Sequence, residues 1–224
     1  MLIVFEGLDG AGKSTQVSLL QKRFENEGCE CRFLHFPRFD APVYGELIGE
    51  FLRGEFGAAD SVDPRLVSLL YAGDRGNAAP IIRRWLNENK QVILDRYVYS
   101  NIAFQCAKIK DAEGRDKLRR RIINTEYVFF GIPKPDLSIF LDVPFEFTQR
   151  KLSEHRTGDD RNYLQGKNDV HESDLDLQRR VRDAYLEQAD IDPLFVVLNC
   201  TEDQSTMKSP EKIHAEVIAL LNTL

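Results

Sequence analysis

Five short apolar runs punctuate the chain, at 2–6, 31–36, 91–95, 137–142 and 194–199. They are rich in Val, Ile, Leu and Phe and show little strict alternation, the pattern of strands buried on both faces. Between them the apolar positions recur at helical spacing. The first such stretch covers 14–27, with Val17, Leu20 and Phe24 on one face and Gly28 as a stop signal. Further helices are predicted at 44–53, 64–75, 80–89, 100–109, 146–154, 174–188 and 210–224. Strands that alternate with helices predict a five-stranded parallel sheet, doubly wound, with right-handed crossovers and helices on both faces. There is no internal repeat, low-complexity linker or visible boundary, so residues 1–224 read as one domain.

Two segments depart from this weave. Residues 110–121 are dense in charge, and a solvated helix face explains them. Residues 155–172, HRTGDDRNYLQGKNDVHE, are polar, glycine-punctuated and mixed in sign. They follow a strand-and-helix pair, which makes the region of about 150–172 a candidate lid.

Composition narrows the class. A chain of 224 residues with net charge -6 has room for a buried core and lacks the basic balance of a nonspecific nucleic-acid binder. Local cations can still hold phosphates. No apolar run approaches the length of a membrane span, and the N-terminal residues have no signal-peptide pattern. The cysteines are Cys29, Cys31, Cys106 and Cys200; a single C-x-C is a poor zinc signature. Cys29 and Cys31 alternate with Glu30 and Arg32, which predicts a buried strand face. Free thiols fit a reducing cytoplasm.

The strongest local signal is Gly7-Leu8-Asp9-Gly10-Ala11-Gly12-Lys13-Ser14, an uninterrupted G-x-x-x-x-G-K-[ST] between a strand and a helix. Such a loop turns backbone N–H groups toward phosphate oxygens, and the helix N-terminus adds positive potential. Lys13 is expected on the β- and γ-phosphates and Ser14 on Mg²⁺. The loop fixes a nucleoside triphosphate as donor without fixing the reaction. A regulatory GTPase would carry N-K-x-D after a strand, and this chain has none; D-x-x-G at 111–114 reads as chance. A non-catalytic P-loop scaffold is the other alternative.

Other candidates sit where strands end, since ligands bind beyond the carboxyl ends of an open parallel sheet. Asp95-Arg96-Tyr97 closes the third strand. Asp95 there can hold a metal-bound water, and Arg96 can bridge the phosphates being joined. Phe36-Pro37-Arg38 closes the second strand and places an arginine suited to bidentate phosphate contact. Tyr71 and Arg75 stand four apart on one helix face, where an aromatic can stack on a base and an arginine can bond its edge.

These residues together resemble the thymidylate kinase family across nearly the whole chain. The matches are GLDGAGKST at 7–15, FPR at 36–38, YAGDR at 71–75, DRYVYSNIAFQ at 95–105 and GIPKPD at 131–136, in that order. The resemblance implies a P-loop nucleoside monophosphate kinase fold with a lid. It implies the reaction ATP + dTMP → ADP + dTDP with Mg²⁺, a homodimer and small-molecule nucleotides as the only partners. A kinase acting on a nucleoside or another monophosphate is the alternative.

By the resemblance, Phe36 and Pro37 flank the thymine methyl, Tyr71 stacks on the base, and Arg75 bonds the carbonyl edge with Asn101 or Gln105. Arg38 and Arg96 hold the acceptor phosphate. Asp9 and Asp95 organise Mg²⁺ with Ser14. Gly7, Leu8, Gly10, Ala11, Gly12 and Thr15 complete the loop around Lys13, and Arg150 lies against the adenine. Phe104 stands where some members have tyrosine near the sugar 2′ carbon. One branch carries an arginine inside the P-loop; Gly10 stands there here, so the resemblance to the bacterial branch implies a lid arginine, Arg156 or Arg161.

Overall fold

A computed structural model describes residues 1–153, 159–167, 169–172, 174–203 and 206–224, with side chains at 151–153 and 159–161 outside the description. Its centre is a parallel sheet of five strands: β1 (Leu2–Glu6), β2 (Cys31–His35), β3 (Gln91–Asp95), β4 (Leu137–Asp142) and β5 (Phe195–Asn199). The spatial order is β2-β3-β1-β4-β5. β1 is therefore central, with Phe5 level with Asp95 of β3 and His35 of β2 level with the same residue. Three chain exits leave the same sheet edge side by side.

Helices cover both faces: α1 (Lys13–Asn26), α2 (Tyr44–Leu52), α3 (Pro64–Asn87), α4 (Val98–Cys106), α5 (Ala112–Ile123), α6 (Phe145–Ser153), α7 (Leu175–Ala189) and α8 (Pro210–Leu221). The period-2 alternation of a strand divides the core. Leu2 and Val4 face a core built with α3, α4, α5 and α7, through Ile82, Ile102, Ile122 and Val181. Ile3 and Phe5 face the opposite core, where Val17, Leu20 and Phe24 of α1 meet Ile213 and Val217 of α8. A smaller cluster joins Ile48, Phe51 and Leu52 of α2 to Val67 of α3.

Three expectations need correction. The helices expected at 64–75 and 80–89 are one helix, α3, with Pro80 inside it. Proline costs a helix about 3 kcal/mol, but Ala78, Ala79 and Ile82 around it are fully buried, and their packing holds the helix through. Cys29 is exposed before β2 begins, and Cys31 is only half-buried. β2 is an edge strand with Phe33 and His35 exposed, so it lacks the two covered faces that its composition suggested. The charged segment is α5, and it continues directly into a π-helical segment, Asn124–Phe129, which the periodicity did not predict. Within α5, Arg119 and Arg120 pair with Asp116 on the outer face, while Leu118 and Ile122 are buried. The D-x-x-G there is a helix cap, Asp111 accepting from the Gly114 amide at 2.6 Å.

Candidate active site

The turn from β1 into α1 forms the floor of a cleft of about 1120 Å³. That volume lies just above the usual range for small-ligand sites, about 300–1,000 Å³. Gly12 caps α1 in the left-handed region, φ 86°, with Gly10 at φ 79°. Only glycine enters that region without strain. Gly7, Leu8 and Ala11 form the buried back of the loop, and Asp9, Gly10, Gly12, Lys13 and Ser14 line the cleft. Thr15 is exposed on α1.

Lys13 is buried, and its Nζ donates to the carbonyls of Gly7 (3.3 Å) and Leu8 (3.1 Å). Burial and the Arg96 charge lower its pKa, while Asp95, Asp9 and Glu6 pull the other way. Arg96 leaves β3 with φ 66°, its amide bonded to the Phe5 carbonyl of β1 at 2.8 Å. Its Nη2 donates to Asp9 Oδ1 at 2.8 Å, and its guanidinium lies 5.3 Å over the Phe104 ring. Burial alone would lower the Arg96 pKa; Asp9, Tyr185, Asp95 and Glu6 outweigh it and raise it. Glu6, fully buried behind, accepts from the Tyr97 and Ser100 amides and from both the Ser100 and Tyr185 hydroxyls. It fixes the start of α4 beneath Arg96.

Asp95 is also buried. Its Oδ2 is 3.4 Å from His35 Nδ1, and its Oδ1 is buried with no hydrogen-bond partner. Burial pushes the carboxyl up, but Lys13, His35 and Arg96 prevail and hold it below the usual range. An ionised, unpartnered oxygen beside the P-loop suits a hydrated divalent cation, and Mg²⁺ commonly takes one or two carboxylates plus substrate phosphates. Among the described residues no cluster of three or more His, Cys, Asp or Glu could hold a metal by itself.

Away from the P-loop the cleft is lined by residues of α2, α3 and α4. Phe36 is 1% exposed and tilts against Tyr97, with Pro37 beside it on the cleft wall. Gly73 in α3 leaves room for the Tyr44 ring, which a Cβ would meet at 2.2 Å. Tyr71 lines the cleft, and burial raises its phenol pKa. Arg75 is 1% exposed and spends two nitrogens on Glu126: Nη2 donates to Oε1 at 2.7 Å, and Nε donates to Oε2. Asn101 donates to Glu126 Oε1 (2.8 Å) and to the Ser68 carbonyl (3.0 Å). Its Oδ1, like Gln105 Nε2, is buried without a partner. Arg38 lines the same cleft, but its guanidinium is held by the Asp74 carboxylate, the Asp74 carbonyl and Asn77. Sequence reasoning had left it open for phosphate.

Asn162 and Tyr163 of the 3-10 turn Asp159–Leu164, with Asp169, His171 and Glu172 after it, line the cleft. Tyr163 stacks on Phe39 at 3.7 Å, and its hydroxyl donates to Asp169 Oδ2 at 2.8 Å. Burial and Glu172 raise the Asp169 pKa to about 6. His171 stacks on Phe104 at 5.1 Å, with Lys108 Nζ 3.1 Å from its Nε2. Arg156 lies outside the described residues, as does the side chain of Arg161. Arg150 is exposed on α6, 5.4 Å over the Phe147 ring and apart from the cleft lining.

Sequence reasoning missed Glu126, Asp74, Tyr163, Asp169 and His171. Glu126 and Asp74 are carboxylates committed to predicted arginines, and a rule that a buried arginine needs a buried partner would have asked for them.

The thymidylate kinase family model matches residues 5–213. A probable thymidylate kinase of Thermococcus kodakarensis is 34% identical, covering 100% of this chain and 98% of its own. The thymidylate kinase of Mycobacterium tuberculosis is 35% identical over 84% of this chain and 86% of its own. Among solved structures, a thymidylate kinase from Candida albicans superposes with a TM-score of 0.71 at 25% identity, covering 99% of this chain and 91% of that one.

Proposed function

The chain belongs to the thymidylate kinase family, and on that premise we propose that it transfers the γ-phosphoryl of ATP to dTMP, releasing ADP and dTDP. One observation carries this. A single cleft is lined both by the P-loop with Lys13 and by Tyr71, Arg75, Asn101 and Gln105, with Arg96 in the same lining. The acceptor phosphate is already ionised, so no general base is required. Alignment and charge stabilisation supply the catalysis. Lys13 and Arg96 are the cations at the transfer point, and Asp9 orients Arg96. Ser14, Asp95 and Asp9 would hold Mg²⁺, which neutralises charge on the phosphates. Phe36 and Pro37 would meet the base, Phe104 the sugar, and Arg38 the acceptor phosphate on release from Asp74. Arg150 would reach the adenine.

Residues 1–224 would act as one kinase domain with its lid near 150–172. A homodimer is supported by an exposed apolar group on two packed elements, Leu66 and Leu69 of α3 with Val128 and Phe129 of the π-helical segment. Four free thiols support a reducing, cytoplasmic location. No helix among the described residues is long and apolar enough to cross a membrane.

The acceptor is tested by base choice. One methyl in an apolar pocket is worth roughly 10–200-fold in kcat/KM, so dTMP is expected to exceed dUMP by about that ratio. Equal efficiencies would remove the thymine pocket, and faster turnover of thymidine than dTMP would indicate a nucleoside kinase.

The lid arginines of the bacterial branch belong to the same proposal. No basic side chain lies between Gly7 and Gly12, so a further cation must come from elsewhere, and Arg156 and Arg161 flank Gly158. Arg156→Ala or Arg161→Ala is expected to lower kcat roughly 10²-fold with little change in acceptor KM. Steady-state kinetics at varied dTMP decides it; wild-type kcat in both single variants and the double variant would leave the lid as a cover only.

A further inference from the structure

Glu126 lies in none of the sequence motifs, yet it bonds two polar residues of the cleft lining, Arg75 and Asn101. It is fully buried in the π-helical segment after α5. One oxygen accepts from Arg75 and Asn101 together, and the other accepts from Arg75 Nε. An asparagine amide has two donor hydrogens and one acceptor oxygen. Here Glu126 and the Ser68 carbonyl take both hydrogens of Asn101. What Asn101 has left for a ligand is Oδ1, an acceptor buried without a protein partner. Arg75 cannot accept at all, and the donors not spent on Glu126 stay available.

We propose that Glu126 is a positioning residue that sets the polarity of the base-reading edge, and so selects a 4-oxo pyrimidine over a 4-amino pyrimidine. This rests on the reading that the acceptor base occupies the pocket edged by Arg75 and Asn101. A 4-oxo pyrimidine offers a ring N–H beside a carbonyl, which matches an acceptor beside a donor. A 4-amino pyrimidine offers the reverse at both positions, and the buried groups would be left unpaired. Without the carboxylate at 126, the Asn101 amide would keep the Ser68 carbonyl as an acceptor and lose the second bond that holds its orientation. The negative charge also balances the buried Arg75, to which Asp74 adds a smaller share.

The test compares wild type with Glu126→Gln on dTMP, dUMP and dCMP, with kcat and KM measured separately. A site built to hydrogen-bond one pattern rejects the mismatched one by about 10⁴-fold or more, so wild type should prefer dTMP over dCMP on that order. Glutamine keeps the size but has a single carbonyl oxygen, so whichever way it turns an amide hydrogen meets an Arg75 nitrogen, and Arg75 and Asn101 are no longer held by one carboxylate. The dTMP-over-dCMP ratio is expected to fall at least 10²-fold, mainly through KM, while saturated kcat on dTMP stays within a few-fold. A merely structural Glu126 would lower the melting temperature and leave the ratio unmoved; an unchanged ratio overturns the proposal. If wild type itself fails to prefer dTMP over dCMP, the base-pocket reading fails instead. Should Glu126→Gln not fold, Glu126→Asp decides by the same ratio. It keeps the charge for Arg75 but is too short to reach Asn101 as well, and an unchanged ratio there overturns the proposal equally.

Discussion

Lys13→Ala is expected to reduce kcat by about 10³-fold in a protein that still folds. In the resting cleft the ammonium bonds the Gly7 and Leu8 carbonyls, the same loop that would wrap the donor phosphates. It is therefore buried beside the reaction centre before substrate arrives, with little side-chain entropy left to lose. Burial disfavours its charge, and Asp95, Asp9 and Glu6 sustain it. Charge on the γ-phosphoryl oxygens changes during transfer, and a preorganised cation there acts on the transition state without reorganising. The structural cost should be small. Lys13 opens α1, where alanine is the best helix former, and two side-chain bonds to carbonyls are worth about 0.5–1.5 kcal/mol each. Thermal melting and single-turnover phosphoryl transfer on the same preparation separate the two effects. Near-wild-type transfer by the folded variant would refute the P-loop assignment.

How far this site was legible in the sequence depended on whether each part was written locally. The glycine turn into α1 was fully readable because a turn, a helix start and a lysine occupy consecutive positions. Asp95 and Arg96 were readable because a buried strand announces its own carboxyl end. The Arg75 end of the cleft was only half readable. Tyr71 and Arg75 share a helix face, but Glu126 lies 51 positions from Arg75 in a π-helical segment, and neither helical nor strand period marks it. Pro80 misled for the opposite reason. A local rule predicts a break, and the packing of Ala78, Ala79 and Ile82 overrides it. Cys29 and Cys31 misled because alternation signals a strand without saying which strand is at the sheet edge. Arg38 was found but not its engagement: a motif names a cation and is silent on the Asp74 that holds it.

Arg96→Ala is expected to cost about 10³-fold in kcat/KM, divided between the two constants. As a phosphate ligand Arg96 should contribute to KM, and as the charge between donor and acceptor it should contribute about 10² to kcat. Its geometry suits both tasks. The positive φ turns the side chain back over the sheet edge, Asp9 fixes one end of the fork, Ser100 Oγ sits 3.4 Å from Nη1, and Phe104 lies against the flat face. Arg96 also lies among Asp9, Asp95 and Glu6, all of which raise or respond to its charge. Its loss therefore leaves carboxylates facing one another, and breaking a buried ion pair costs about 3–5 kcal/mol. The Asp9 side chain is 25% exposed, so the stability loss should fall at or below the lower end of that range. Arg96→Lys should recover charge without the planar fork, restoring stability more than kcat. Adding Asp9→Asn to Arg96→Ala removes the carboxylate charge that Arg96 had balanced and should recover melting temperature with no recovery of kcat. Kinetics and melting on these three variants decide the matter. If the double variant regains activity along with stability, Arg96 serves to neutralise the carboxylates, and the transition-state charge must come from Lys13, the metal and the lid.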